Sequence, residues 1–181
     1  MKTKQILLLA LISIGFISCN MNGETNYTPQ MSLNSRLRVF KVDTLNKIDT
    51  LDIYNTKVPG ELLLDTITVG DTVEIPLELD GITNNITAVY LVQSADSLTE
   101  IKLPAKSSLD ALFSSSSNYA EGKFFSSTSF TSLYFPFKYI AKKPGNTAKL
   151  TFMVVSDAVF KDASGSNTNS FVLKTPIKAA K

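Results

Sequence analysis

The sequence predicts an all-β protein, an antiparallel immunoglobulin-like β-sandwich, with a small antiparallel β-barrel as the alternative. Three observations lead there. Apolar and polar residues alternate with period two in several short runs. Turn-forming residues separate those runs, as at Asp80-Gly81 and Pro144-Gly145-Asn146. No window shows a helical apolar stripe with caps, so an alternating β/α fold is not expected. Period alone does not tell an open sandwich from a closed barrel.

Taken in order, Arg36–Val42 sets Leu37, Val39 and Lys41 against Arg38, Phe40 and Val42. Ile48–Tyr54 opposes Ile48, Thr50, Asp52 and Tyr54 to Asp49, Leu51 and Ile53. The cleanest alternation is Thr72–Leu79, with Val73, Ile75, Leu77 and Leu79 on one side and Thr72, Glu74, Pro76 and Glu78 on the other. Pro76 lacks a ladder N–H and so suggests a sheet edge. Further strands are expected at Ile86–Val92, Glu100–Leu103, Ser132–Ile140, Lys149–Val155 and Ser170–Ile177, and one short helical turn at Leu109–Phe113. The immunoglobulin-like order runs from about Leu62, preceded by extra strands.

Ser107–Ser132 is a long serine-rich connection with Tyr119, Phe124, Phe125 and Phe130 interleaved. Aromatic residues are depleted in disordered segments, so it is expected to pack partly over one sheet. Alternation puts Phe135, Phe137 and Tyr139 on a core face. Phe124, Phe125, Phe130 and Tyr134 are the candidate binding surface. Core packing is the favoured use of these rings, ahead of a binding surface. Tryptophan, a favoured sugar-stacking residue, is absent.

The first residues read as an export signal: Lys2 and Lys4, the apolar run Ile6–Phe16, then Phe16-Ile17-Ser18-Cys19. About a dozen apolar residues fall short of the roughly 20 a spanning helix requires. The expected organisation is a signal over 1–18, a flexible polar tether over 19–35 and one all-β domain over 36–181, long enough for a real core. The formal charge of +2 rests on Lys2 and Lys4, so the chain after the signal is formally near neutral. A nucleic-acid partner, which requires a basic surface, is not expected. Cys19 is the single cysteine, so no disulfide is expected.

Catalytic patterns are sparse. The chain has no histidine, which removes Ser-His-Asp and Cys-His arrangements and the main zinc and copper ligands. No cofactor and no metal are expected. Glu74 and Glu78 share a strand face about 13 Å apart, too far to flank one glycosidic bond, and read as solvated residues. Asp162–Asn169 is oxygen-rich but has one acidic group where calcium loops use several, and reads as a hairpin loop.

Five triplets place Ser or Thr between Asp and an apolar residue: Asp43-Thr44-Leu45, Asp49-Thr50-Leu51, Asp65-Thr66-Ile67, Asp71-Thr72-Val73 and Asp96-Ser97-Leu98. Composition alone would give roughly one. Asp at a turn followed by a β-former is also how many strands begin.

Phe16–Cys19 resembles a bacterial lipobox, in which cleavage before the cysteine precedes its lipidation; Ser18 fits, and Phe16 stands where leucine is usual. Two or more acyl chains on Cys19 suffice for stable anchoring. The triplets resemble the O-glycosylation motif of Bacteroidota, making Thr44, Thr50, Thr66, Thr72 and Ser97 candidate acceptors. Together with the polar tether and β-rich body, the chain resembles the small cell-envelope lipoproteins of that group. The resemblance implies an outer-membrane lipid anchor; only Glu24 is acidic near Cys19, which favours the periplasmic side over the cell surface. The expected role is a non-catalytic binding or accessory module for an envelope protein or glycan. The alternative is a fimbrial-type assembly subunit, and the least favoured is a carboxylate-dependent glycosidase.

Overall fold

A computed structural model describes residues 26–42, 47–94, 97–161 and 165–180. The signal, Cys19 and the first part of the expected tether lie outside these residues. So do Thr44, Asp96 and Asp162 to Ser164.

Among the described residues twelve strands follow one another: β1 (Gln30–Ser32), β2 (Arg36–Lys41), β3 (Lys47–Asn55), β4 (Glu61–Leu64), β5 (Ile67–Thr68), β6 (Thr72–Asp80), β7 (Ile86–Gln93), β8 (Thr99–Lys102), β9 (Lys123–Phe125), β10 (Ser132–Ala141), β11 (Gly145–Ser156) and β12 (Thr168–Lys178). One short helix, α1 (Lys106–Asp110), and a 3-10 turn at Tyr119–Glu121 lie between β8 and β9. The strands form one hydrogen-bonded path, β8-β10-β6-β2-β3-β4-β12-β11-β7-β9, with β1 beside β6 and β5 beside β12.

The path folds into two layers because β3 belongs to both. Its first part, to Asp52, pairs with β2, and Ile53–Asn55 pairs with β4. The first layer is therefore β8-β10-β6-β2 with β1, and the second is β4-β12-β11-β7-β9 with β5. Within them β6, β10 and β8 face β7, β11 and β12, the B-E-D and C-F-G arrangement of an immunoglobulin-like sandwich. Pairing is antiparallel except where β4 and β5 run parallel to β12. The ends of the path, β8 and β9, share no ladder, so the molecule is an open sandwich and not a closed barrel.

The core follows the alternation. Leu37, Val39, Val73, Ile75, Leu77, Leu79, Phe135, Phe137 and Tyr139 of the first layer are buried. Leu150, Phe152 and Val154 of β11 meet them from the second. Phe137 and Phe152 join the layers with ring centroids 6.1 Å apart, and Phe152 stacks on Phe171 at 4.5 Å.

Several expectations are corrected. The segment expected as tether is folded from Asn26 onward: β1 pairs with β6, Pro29 is buried, and Met31 and Leu33 pack on the core. Tyr27 and Ser166 supply backbone N–H bonds, to Asn84 Oδ1 and Thr28 Oγ1, that hold it down. Pro76 lies on an interior strand, between β10 and the β1/β2 side. The helical turn begins earlier, at Lys106, with Leu109 and Phe113 buried beneath it. Gly145 already belongs to β11. Strands β1, β4, β5 and β9 are too short to show a period of their own.

Candidate functional site

The outer surface of the first layer is built from every second residue of β10, β6 and β2. Ala141 N–H donates to Asp71 C=O at 3.0 Å, a pair on the β6–β10 register, so odd-numbered β6 residues bond to β10 and even-numbered ones do not. Pro76 and Pro136 stand directly opposite each other at one of these non-bonded positions. Neither imide nitrogen is asked to donate across that ladder. Pro76 instead faces the gap on its other edge, where β2 pairs only with Thr72 to Glu74 and β1 only with Glu78 to Asp80. Pro136 faces β8 beyond its last paired residue, Lys102. An interior proline is tolerated here because the neighbouring ladder has already ended.

The result is a groove of about 490 Å³ on the outer face. Its apolar floor is a row of prolines, Pro104, Pro136 and Pro76, with Tyr134 at one side, 59% exposed. The next row across the strands carries charge: Lys102 opposite Lys138, Lys138 opposite Glu74, and Glu74 opposite Arg38. Arg36 completes the rim. Four cations thus line the groove with Glu74, while Asp52 lies beside Arg36 and Glu78 stands opposite Tyr134. Arg38 reaches Glu74 at 3.3 Å and Arg36 reaches Asp52 at 3.1 Å, both exposed pairs. Lys138 Nζ and Arg38 Cζ lie 5.6 Å and 5.7 Å from the Phe40 ring centroid, within cation–π range. Neither Lys102 nor Lys138 has a carboxylate partner among the described residues. Like charges directly opposite on neighbouring strands are unfavourable, and here Glu74 on the other side of Lys138 offsets part of that.

Of the expected surface aromatics, only Tyr134 lies in this groove. Phe124 is fully buried. Lys123–Phe125 forms β9, and its pairing with β7 sets Phe124 beside Val89, turning the ring inward. There it meets Phe135 at 5.0 Å, Phe113 at 5.3 Å and Tyr119 at 5.6 Å. Phe125 alternates outward but is half-buried, edge-on to Tyr90 at 6.1 Å. Phe130 packs against the core. The expected platform is therefore divided between core and groove.

The triplet aspartates have structural duties. Asp71 is fully buried and accepts from Val42 N (3.0 Å), Thr68 N (2.9 Å) and Lys41 Nζ (3.1 Å), pinning the end of β2 to the β5–β6 turn. Asp65 accepts from Asp52 N at 2.9 Å, and Asp49 from Thr50 N at 2.8 Å. Thr50, Thr66 and Ser97 are exposed, and Thr72 is half-buried on the outer face of β6. Glu78 is exposed on that face, with Ser32 Oγ 3.4 Å away.

A second polar group lies on the connection between β8 and β9. Lys106 Nζ and the Tyr119 hydroxyl donate to Asp110 at 2.6 Å and 2.9 Å. These bonds, the lysine's first, hold the Asp110 carboxyl below its ordinary value. Burial, then the Asp110 bond, pushes the Tyr119 phenol up. Among the described residues no group of three or more acidic or cysteine side chains is placed to hold a metal ion, and no helix is long and apolar enough to cross a membrane.

The chain matches no known family profile and no curated protein. Among solved structures it is similar to a PapD-like (ASH) domain of human CEP192, its PapD-like domain 7. The identity is 16% and the TM-score 0.33, over 72% of this chain and 87% of that one. Likeness at this level identifies no shared activity.

Proposed function

We propose that this chain is a non-catalytic binding module, held at the outer membrane by lipid on Cys19, which engages an envelope protein or glycan through the outer groove of the first layer. The observation that carries the binding role is the groove itself. An exposed tyrosine and three prolines form an apolar floor beside a cluster of cations, two of them without a carboxylate partner. Pockets of this size, apolar with a few convergent polar groups, are the ordinary form of a recognition site. The anchor rests on the lipobox-like Phe16–Cys19, and the exposure of Thr50, Thr66 and Ser97 supports these hydroxyls as glycan acceptors.

The test is site-specific photocrosslinking in native cells, with a benzophenone side chain at position 134 and a control at Val159, also exposed but outside the groove. A discrete adduct at 134 and none at 159 is expected; equal labelling at both would remove the groove from the proposal. Cys19→Ala should shift the protein from the membrane to the soluble fraction. Intact-mass measurement of the natural protein reads both the lipid and any glycan.

A further inference from the structure

We infer that the groove takes an acidic saccharide, a glycan whose rings carry carboxylate groups; this rests on the reading of the groove as the binding face. Three observations narrow the ligand. First, Lys102 and Lys138 stand directly opposite each other and neither makes an ion pair among the described residues, and the four rim cations outnumber the carboxylates around them, Glu74, Asp52 and, opposite Tyr134, Glu78. A bound anion relieves that repulsion and gains charge-assisted hydrogen bonds from the ammonium and guanidinium donors. The ion pairs of Arg36 and Arg38 do not compete strongly, because exposed pairs contribute little.

Second, the floor is lined by ring side chains. Tyr134 offers an exposed phenol, and Pro136 and Pro76 lie one row away. A pyranose presents C–H groups on one face and polar groups at its rim, which suits an aromatic floor with cations beside it. Third, the groove lies on the face of the sheet, whose N–H and C=O groups point along the sheet to neighbouring strands. A peptide laid over the floor therefore finds no ladder bonds there; strand addition, the mode in which main-chain bonds supply its affinity, would use the edges that β8 leaves on β10 and that β1 and β2 leave on β6. Recognition over the floor itself comes from side chains, as it does for sugars.

The experiment uses the full chain in detergent, titrated with polygalacturonate, with its methyl ester and with polyglutamate. The free acid should bind. Esterification, which removes the charge and keeps the sugar, should weaken binding by about tenfold or more, as should Lys102→Gln with Lys138→Gln. Tyr134→Ala should weaken it by about tenfold, whereas Val159→Ser should change nothing, and binding should fall as salt rises. Equal affinity for the ester, or for polyglutamate, would overturn the acidic-saccharide assignment while leaving the groove a binding face. No binding of the free acid would overturn it too, and crosslinking at position 134 then reports separately on the groove. Binding that survives both the lysine and the tyrosine substitutions would place the saccharide elsewhere and defeat both readings.

Discussion

The connection between β8 and β10 and strand β10 itself are both rich in aromatic residues, and only Tyr134 of β10 is left largely exposed. On the connection, Phe113 and Phe124 turn inward and join Phe135 in a tilted and edge-to-face cluster. On β10, Tyr134 immediately precedes Phe135 in the chain yet stands 59% exposed above the prolines. A serine-rich composition with interleaved aromatics predicts only partial packing of the first region over one sheet. Strand register closes it, because β9 pairs with β7 and commits Phe124 to the core. Hydrophobicity of a residue thus says less about its use than which side of a paired strand it occupies.

The strongest way to break this comparison is Phe124→Ala. If the connection is a true part of the core, the change should cost about 4 kcal/mol of stability in urea unfolding. A cost under about 1 kcal/mol would mean the ring is dispensable and the connection only rests on the sheet. Asp71→Ala tests how the outer layer is held at its end. It removes a buried acceptor of two backbone N–H groups and leaves Lys41 without its carboxylate, and should cost about 3 kcal/mol.

Tyr134→Ala should sharpen the contrast with Phe124, changing stability by less than about 0.5 kcal/mol because the ring is largely solvated. A large loss would mean that the tyrosine supports the sheet and would weaken its assignment to binding. The smallest effect concerns Asp110. Its folded pKa is depressed by Lys106 and Tyr119, so it favours the folded state fully above the ordinary aspartate range. That contribution is lost as pH falls through the depressed folded value. Carboxyl NMR should show Asp110 titrating below the ordinary aspartate range, with the depression shrinking in high salt. Asp110→Asn should bring the Tyr119 phenol back down toward its ordinary value.

The long strands were legible because each buries one face, and burial imposes period two on the sequence. Thr72–Leu79 and Ser132–Ile140 show it residue by residue: Val73, Ile75, Leu77, Phe135, Phe137 and Tyr139 all point inward. The fold class follows from such runs and from the absence of a helical stripe. The short strands β1, β4, β5 and β9 were not legible, since two to four residues hold no period. Their existence depends on a neighbour that offers an edge, as β6 does for Gln30–Ser32.

The groove divides in the same way. Its outward set on β6, with Glu74 and Pro76, was visible in one strand's alternation. Its other walls come from β2, β8 and β10, whose members are far apart in the chain. That Lys102 meets Lys138, or that Pro76 meets Pro136, is a matter of register between strands, and register is set by the packing of the whole sandwich. The sequence by itself determined which residues turn inward along each long strand, because that choice is local and driven by the removal of apolar surface from water. Only the tertiary structure decided which outward residues stand side by side, because cross-strand neighbours are chosen by pairing, and the binding face is made of cross-strand neighbours.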